Sequence, residues 1–474
     1  MKSVIVIGSG ATGLPLAVKL AEKGFAVTLL EKEKQVGGLA TSFKYKDFTI
    51  DFGPHKIYTQ IPEAQKFIED ALGEDLLAKP KKSKIRLMGK YFDYPVNIRQ
   101  VMLGLNPLTT MSCGFSYGIA TVTSKFSKNE GNTYESYLTN KFGPTVYNLI
   151  FKDFAWKVWG DPQKLSSDLA KARVSIPSLP EMLKRVVLGD GGKKEISAKT
   201  FYYPKKGNIE LYEKLAEKFE DYNGELILGA KVIELKHKDD KITEVIAEVR
   251  GRPESFKADY VVSTMPLSFV ASSLKPKPPV EVLNAFNNLK HRSIVLLFVI
   301  VNKDRLFDDS FIFYPEKLSD FPFHRLSEQK AFSEHTVPKD KTVLCVEMIR
   351  EPTDEIFNKT DKEILDYVMP ALEKTGFLKK EDVAEFFTKK MHGIYPVYDL
   401  TYKENLTKVL AYLDEFNNFM TLGRRGLFNY NNQDHCIDMA LHAEKFIDKW
   451  FAGSSSLEEW RSNRKKFEEY VIID

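Results

Sequence analysis

Val4-Ile-Val-Ile-Gly-Ser-Gly-Ala-Thr-Gly-Leu-Pro-Leu-Ala-Val-Lys-Leu-Ala-Glu-Lys-Gly-Phe-Ala-Val-Thr-Leu-Leu-Glu31 is the stretch that decides the fold. Val4–Ile7 is a short β-branched strand, and Gly8, Gly10 and Gly13 follow it at once in a Gly-x-Gly-x-x-Gly spacing. Leu16, Ala17, Leu20 and Ala21 then recur at helical spacing, Gly24 ends the helix, and Val27–Leu30 forms a second strand that closes on Glu31. Strand, glycine turn, helix, strand and acid in this order form the dinucleotide-binding pattern. Gly8 permits the tight turn, Gly10 lets backbone approach a pyrophosphate, and Gly13 lets the helix pack on the strand. The helix N-terminus then faces the phosphates. Glu31 suits the ribose hydroxyls of an adenosine and would repel a 2′-phosphate, which disfavours NADP here. Pro15 falls in the first helical turn, where its missing N–H costs little.

The rest of the composition sets bounds. A chain of 474 residues has room for roughly three domain-sized units. Lys and Arg total 69 against 65 Asp and Glu, a net charge of +4, which argues against a disordered tail protein or a general nucleic-acid binder. Cys113, Cys345 and Cys436 lie far apart and form no disulfide framework, which suggests a reducing compartment. The histidines are scattered without a zinc spacing, so no metal site is expected. The longest apolar run, Ser293–Val301, is β-branched and strand-length, and reads as a buried strand. No segment has the length of a spanning helix, and the apolar start is too short for a signal peptide. A cytoplasmic protein is expected, with attachment at a membrane surface left open.

Gln35-Val-Gly37-Gly38-Leu39 extends the first motif. It resembles the extended fingerprint of two-dinucleotide-binding flavoproteins, where a Gly-Gly pair follows the ribose acid; Leu39 stands where amine and protoporphyrinogen oxidases often have Arg. The resemblance implies FAD, with Gly8, Gly10, Thr12, Gly13, Glu31, Lys32, Gly37, Gly38 and Leu39 as candidate contacts, joined by Val232 of a later strand. The implied fold class is α/β: a discontinuous Rossmann-type FAD-binding domain like that of glutathione reductase, a mixed-sheet substrate domain and a helical insertion. The FAD-binding part is expected from 1–80, 200–265 and 396–474, a hairpin plus helical cap from 81–199, and the substrate sheet from 266–395. Gly89 marks the hairpin turn, Asn132-Thr-Tyr-Glu135 a helix start, Gly189–Lys194 a loop tip, and Ser456–Glu459 a capping box before a terminal helix.

Islands further along the chain resemble UDP-galactopyranose mutases in that family's order, over most of residues 1–450. Gly53-Pro-His55 resembles the segment beside the mutase flavin, which implies His55 near N5; Tyr58 stands where mutases often have a second histidine. Tyr91–Pro95 resembles an aromatic-Pro hairpin. Phe154–Pro162 resembles the segment whose Trp contacts uridine, which implies base stacking for Trp159, against a core Trp as the plainer reading. Lys171-Ala-Arg173 falls where mutases have Lys-Arg, so Arg173 is implied at the diphosphate. Phe323–Ser333 resembles the string that carries the catalytic-site arginine, which implies Arg325; an ion pair is the plainer reading. Ile394–Val397 and Gly423-Arg424 with Tyr430 and Asp434 resemble the last two segments. They imply Gly423, Arg424 and the Asp434 helix start at the flavin, and Tyr395 and Tyr430 at substrate phosphate. Asn432-Gln433 departs from that pattern, and no flexible-loop arginine string is clearly matched.

Two reactions remain open. The mutase resemblance implies attack of reduced flavin N5 on an anomeric carbon, with His55, Arg173 and Arg325 as catalytic candidates and a nucleotide-linked sugar as substrate. NAD(P)H or another reductant, and a homodimer, are compatible partners; nucleic acid is not expected. The alternative is an oxidoreductase of the amine oxidase or protoporphyrinogen oxidase type, and a non-catalytic flavin-binding protein is a third reading.

Overall fold

Five parallel strands hold the first motif at the centre of a sheet. In a computed structural model, which describes residues 2–96, 98–126, 130–173 and 200–472, their order is Phe419–Thr421, Tyr260–Ser263, Ser3–Ile7, Ala26–Glu31 and Glu225–Leu228. Two of these lie some 200 residues from the N-terminal pair and one about 390, so the cofactor unit is discontinuous. The helix Gly13–Glu22 buries Leu14, Leu16, Ala17, Val18 and Leu20 between the helices Ile209–Asp221 and Gln433–Phe451. An antiparallel sheet of Ala230–Lys238, Lys241–Val249 and Arg252–Phe256 is edged by Leu274–Lys275.

The second body is a seven-stranded sheet with Val383–Pro396, His291–Val301 and Thr342–Arg350 side by side. The central strand explains the unbroken apolar run. Ile294, Leu296, Phe298 and Ile300 pack into one core, and Val295, Leu297, Val299 and Val301 into another on the opposite face. A strand buried on both faces has no reason to alternate. The helix Asp361–Thr375 covers the far face, capped by Thr360, which accepts from Glu363 N while Glu363 returns a bond.

The hairpin Ser83–Leu87/Lys90–Asp93 turns at Gly89 and joins this sheet through the parallel strand Phe311–Phe313. The hairpin expected to accompany the helical cap therefore extends the substrate sheet. The sheet's main strands begin at His291, whereas Leu267–Lys275 packs on the strand Ala230–Lys238 of the cofactor side. We propose that the working division follows these sheets. The cap helices are Pro107–Phe126, Tyr134–Phe142, Lys152–Val158 and Ser167–Arg173, and Thr133 caps the second. The expected loop at 189–194 lies outside the described residues. At the C-terminus Ser456 accepts from Glu459 N at 3.2 Å without a returned bond, and Trp460 and Phe467 are buried against the helix Gln433–Phe451. That tail is packed core.

Leu297→Ala, on the face away from the cofactor motifs, is expected to cost about 2–5 kcal/mol of stability. Urea denaturation with parallel flavin quantitation checks this; unchanged flavin content per folded chain is expected.

Candidate cofactor and substrate cleft

Two glycine turns meet backbone to backbone. Gly37 N donates to Ser9 O at 3.0 Å and Gly37 bridges Gly10. A Cβ on Gly38 would stand 3.1 Å from Gly10 Cα, and one on Gly13 would collide with the Gly8 carbonyl oxygen. Gly37 and Gly38 take φ of 98° and 57°, which glycine adopts without steric cost. The buried Glu31 carboxylate closes the arrangement. It accepts Ser9 N and Ser9 Oγ, each at 2.8 Å, and Glu33 N at 2.9 Å. A carboxylate has about four lone-pair sites, so acceptor capacity remains for ribose hydroxyls. Lys32 is exposed beside Glu33. Gly229 N donates to Glu33 O at 3.0 Å, which brings the strand of the half-buried Val232 alongside. Leu39 is half-buried in the same core cluster as Val232.

The C-terminal segment returns to this turn. A Cβ on Gly423 would press within 2.8 Å of Thr12 Oγ1, so Gly423 and Arg424 abut the start of the helix Gly13–Glu22. Asn432 caps the helix Gln433–Phe451, and Asp434 sits buried in its first turn. Burial pushes the Asp434 carboxyl above its ordinary range, and Oδ1 has no protein partner.

The second half of the cleft is cationic and aromatic. Arg424 Nη1 donates to Asn431 O at 2.8 Å, its Nε is buried without a protein partner, and its guanidinium carbon lies 5.3 Å from the Tyr395 ring and 5.8 Å from Tyr430. Arg173 stands 5.8 Å from the same Tyr430 ring and 5.9 Å from Trp159. Arg325, Arg424 and Arg173 all act on the phenol of Tyr395, whose pKa burial raises. His55 lies near Arg325 and Arg424. Burial first, and then those two charges, push it down to about 3, so the imidazole is neutral at physiological pH. Its Nδ1 has no protein partner. His55 Nδ1, Arg424 Nε and Asp434 Oδ1 are thus buried polar atoms unmatched by protein, around a cradle of closely approaching glycine turns. The residues present fit a flavin dinucleotide.

Three of the expected site residues are already engaged by protein. Trp159 is 4% exposed, with Tyr134 and Phe154 against its ring, so it is wall rather than an open stacking platform. Arg325 is gripped by the buried Glu347, Nε to Oε1 at 2.6 Å and Nη2 to Oε2 at 2.8 Å, so its charge is already offset. Tyr430 donates its only hydroxyl proton to Pro396 O at 2.7 Å, which removes it as a phosphate donor in this state.

A buried network has no signature in the local sequence. Asp51 accepts Ser42 Oγ at 2.5 Å, and Tyr203 Oη and Asn208 Nδ2 at 2.7 Å each. Asn208 also donates to His55 O at 3.0 Å and accepts from Gln433 Nε2 at 3.1 Å, and Gln433 accepts from Tyr212 Oη at 2.7 Å. The chain of bonds ties the His55 loop to the start of the helix Gln433–Phe451. No local signal marks Asp51 or Asn208, because their partners come from distant segments.

Cradle and cleft together define a flavoprotein of the dinucleotide-binding kind. The chain belongs to the flavin containing amine oxidoreductase family, whose profile matches residues 11–392. It is an FAD-dependent enzyme. A probable UDP-galactopyranose mutase of Klebsiella pneumoniae is 23% identical over 36% of this chain and 44% of its own length, so the alignment spans under half of that relative. An L-amino-acid oxidase of Sistrurus catenatus edwardsii is 22% identical over 81% of this chain and 73% of its own. Among solved structures, a reduced UDP-galactopyranose mutase superposes with a TM-score of 0.80 at 19% identity, over 94% of each chain. A putative protoporphyrinogen oxidase from Exiguobacterium sp. 255-15 gives 0.70 at 19% identity, over 94% of this chain and 98% of that one. At such identities the likeness establishes the fold.

Gly38→Ala is expected to push the two turns apart and lower FAD content per folded chain severalfold, as read by absorbance after flavin release. Asp51 gives a pH signature. Burial raises it to about 6 from its ordinary 3.8, so its contribution to stability is full at low pH and is lost as pH rises through about 6. Urea midpoints of the native chain and Asp51→Asn, compared from pH 4 to 7, are expected to diverge in slope between those two values. Parallel curves would contradict the assignment.

Proposed function

We propose that this enzyme acts on a nucleotide-diphosphate sugar in the manner of a UDP-galactopyranose mutase. The clustering of Arg173 and Arg424 on the Tyr430 ring, with Arg424 also over Tyr395 and Arg325 held nearby by Glu347, is the observation that carries this reading. Such a field suits a departing diphosphate, because preorganised cations need no rearrangement as charge develops. When bound and reduced, FAD supplies a nucleophile at N5 for the anomeric carbon. Arg173 holds the phosphates, Glu347 holds the Nε and Nη2 edge of Arg325 in place beside them, and Arg424 faces the flavin. His55, kept neutral, supplies a hydrogen-bonding nitrogen without adding positive charge beside the arginines. NAD(P)H or another external reductant would supply electrons.

A second reading, net oxidation of an amine or a related substrate, is favoured by the oxidase alignment, which covers 81% of the chain against 36% for the mutase. The two separate in one experiment. The flavoprotein is reduced anaerobically with dithionite and given UDP-galactopyranose and other UDP-sugars, and the products are resolved by chromatography. The mutase reading expects a ring-contracted product that needs reduced flavin. Absence of turnover, together with bleaching of oxidised flavin by an amine or a porphyrinogen, would replace it with the second.

Arg173→Ala is expected to weaken UDP-sugar binding roughly 10- to 100-fold while FAD stays bound, as loss of a charge-assisted contact predicts. Arg325→Ala is the poorer test: it leaves Glu347 buried and unpaired, at a cost of about 3–5 kcal/mol to the fold.

A further inference from the structure

One cap helix is built inside out. Along Pro107–Phe126 the residues buried against the rest of the cap are small: Ser116 accepts from Thr145 N, a Cβ on Gly143 would strike Ser116, and Ala120 is buried. The large apolar residues face outward. Leu108, Met111, Phe115, Ile119 and Val122 recur at helical spacing with exposures from 49% to 76%, and Leu103 of the preceding helix adds 78%. Exposed apolar area of this size marks a surface that something covers.

The chemistry of the surroundings selects the cover. Residues 100–124 contain no charged side chain. The hydroxyls of Thr121, Thr123 and Ser124 donate to the helix's own carbonyls, of Tyr117, Ile119 and Thr121 respectively, so this stretch offers few unmet donors. The rim is basic. Residues 79–99 carry seven Lys and Arg against Asp93 alone, and Lys125 is the first charged residue of the helix, one position before its end. Lys84 and Arg86 pair with Asp309 and Glu316, while Lys82 and Lys90 are exposed. Lys90 Nζ donates to Gly104 O at 2.7 Å, which fixes the hairpin beside the helices. A second copy docked here would bring two basic segments together across a two-fold axis. The positions beside the stripe are Ser, Thr and Gly, not the charged residues that specify helix pairing.

We propose that this face docks on an anionic lipid bilayer. The helix lies in the interface, Leu108, Met111, Phe115, Ile119 and Val122 enter the acyl boundary, and the basic rim meets the headgroups. No described helix is long and apolar enough to cross a membrane, so the contact is peripheral. The docked helix packs on Tyr134–Phe142, which packs on Ser167–Arg173, so the membrane contact stands one helix away from the one that carries Arg173.

The test uses the FAD-loaded full chain and co-sedimentation with vesicles of phosphatidylcholine, alone or mixed with phosphatidylglycerol. Binding to the mixed vesicles is expected, weakening with salt and much reduced on phosphatidylcholine alone. Phe115→Asp is expected to cut the partition coefficient roughly tenfold or more, as loss of one buried aromatic side chain predicts, with flavin content and melting temperature retained. Phe115→Trp controls for folding: it should keep binding and shift its emission to shorter wavelength only with anionic vesicles. Failure of the native chain to bind, or binding undiminished in Phe115→Asp, overturns the proposal. So does a dimer without lipid that Phe115→Asp dissociates, which would give the face to a second copy.

Discussion

The backbone contact between the turn at Gly8–Gly13 and the pair Gly37–Gly38 is what the rest of the molecule is arranged around. Three contacts there leave little or no room for a Cβ: Gly13 against the Gly8 carbonyl, Gly38 against Gly10 Cα at 3.1 Å, and Gly423 against the Thr12 side chain at 2.8 Å. Glu31 locks the first turn from the end of the next strand. The helix Gly13–Glu22 is therefore fixed with its N-terminus at the cradle, and the strands Tyr260–Ser263 and Phe419–Thr421 extend the sheet beside it. The C-terminal helix can reach the same point only because the chain returns to the sheet after Pro396.

Electrostatics at the cleft follow from that convergence. Three arginines arrive from a cap helix, a sheet strand and the C-terminal return, and Glu347 offsets one of them. A histidine placed beside two of those charges, and shielded from water, cannot hold a proton near neutrality. The Asp51–Asn208–Gln433 bonds then hold the His55 loop to the start of the helix Gln433–Phe451, so geometry on one side of the cleft is transmitted to the other.

What could be read from sequence was what local chemistry encodes. The glycine spacing and the β-branched run at Ser293–Val301 carry their reason within a few residues, and the acid at Glu31 within one strand–helix–strand unit. The discontinuity of the cofactor unit was legible in part because Gly423-Arg424, far from the first motif, resembles a flavin-side segment. The partners of Arg325, Tyr430 and Asp51 were not legible, because ion pairing and hydrogen bonding join residues 22, 34 and about 150 positions apart. Trp159 shows the same limit: a tryptophan in a resembling string can stack on a ligand or fill a wall, and only the packing of Tyr134 and Phe154 decides. The inside-out helix is not legible for another reason. Its uncharged stretch resembles an ordinary buried helix until the direction of its large residues is known.

The central claim is that flavin and a nucleotide diphosphate share one cleft joined by these arginines. Titration of UDP into the FAD-loaded protein, followed by the visible spectrum of the bound flavin, tests it most directly. A saturable perturbation in the native chain that is lost in Arg173→Ala is the predicted result. A flavin spectrum indifferent to UDP in both proteins would contradict the account.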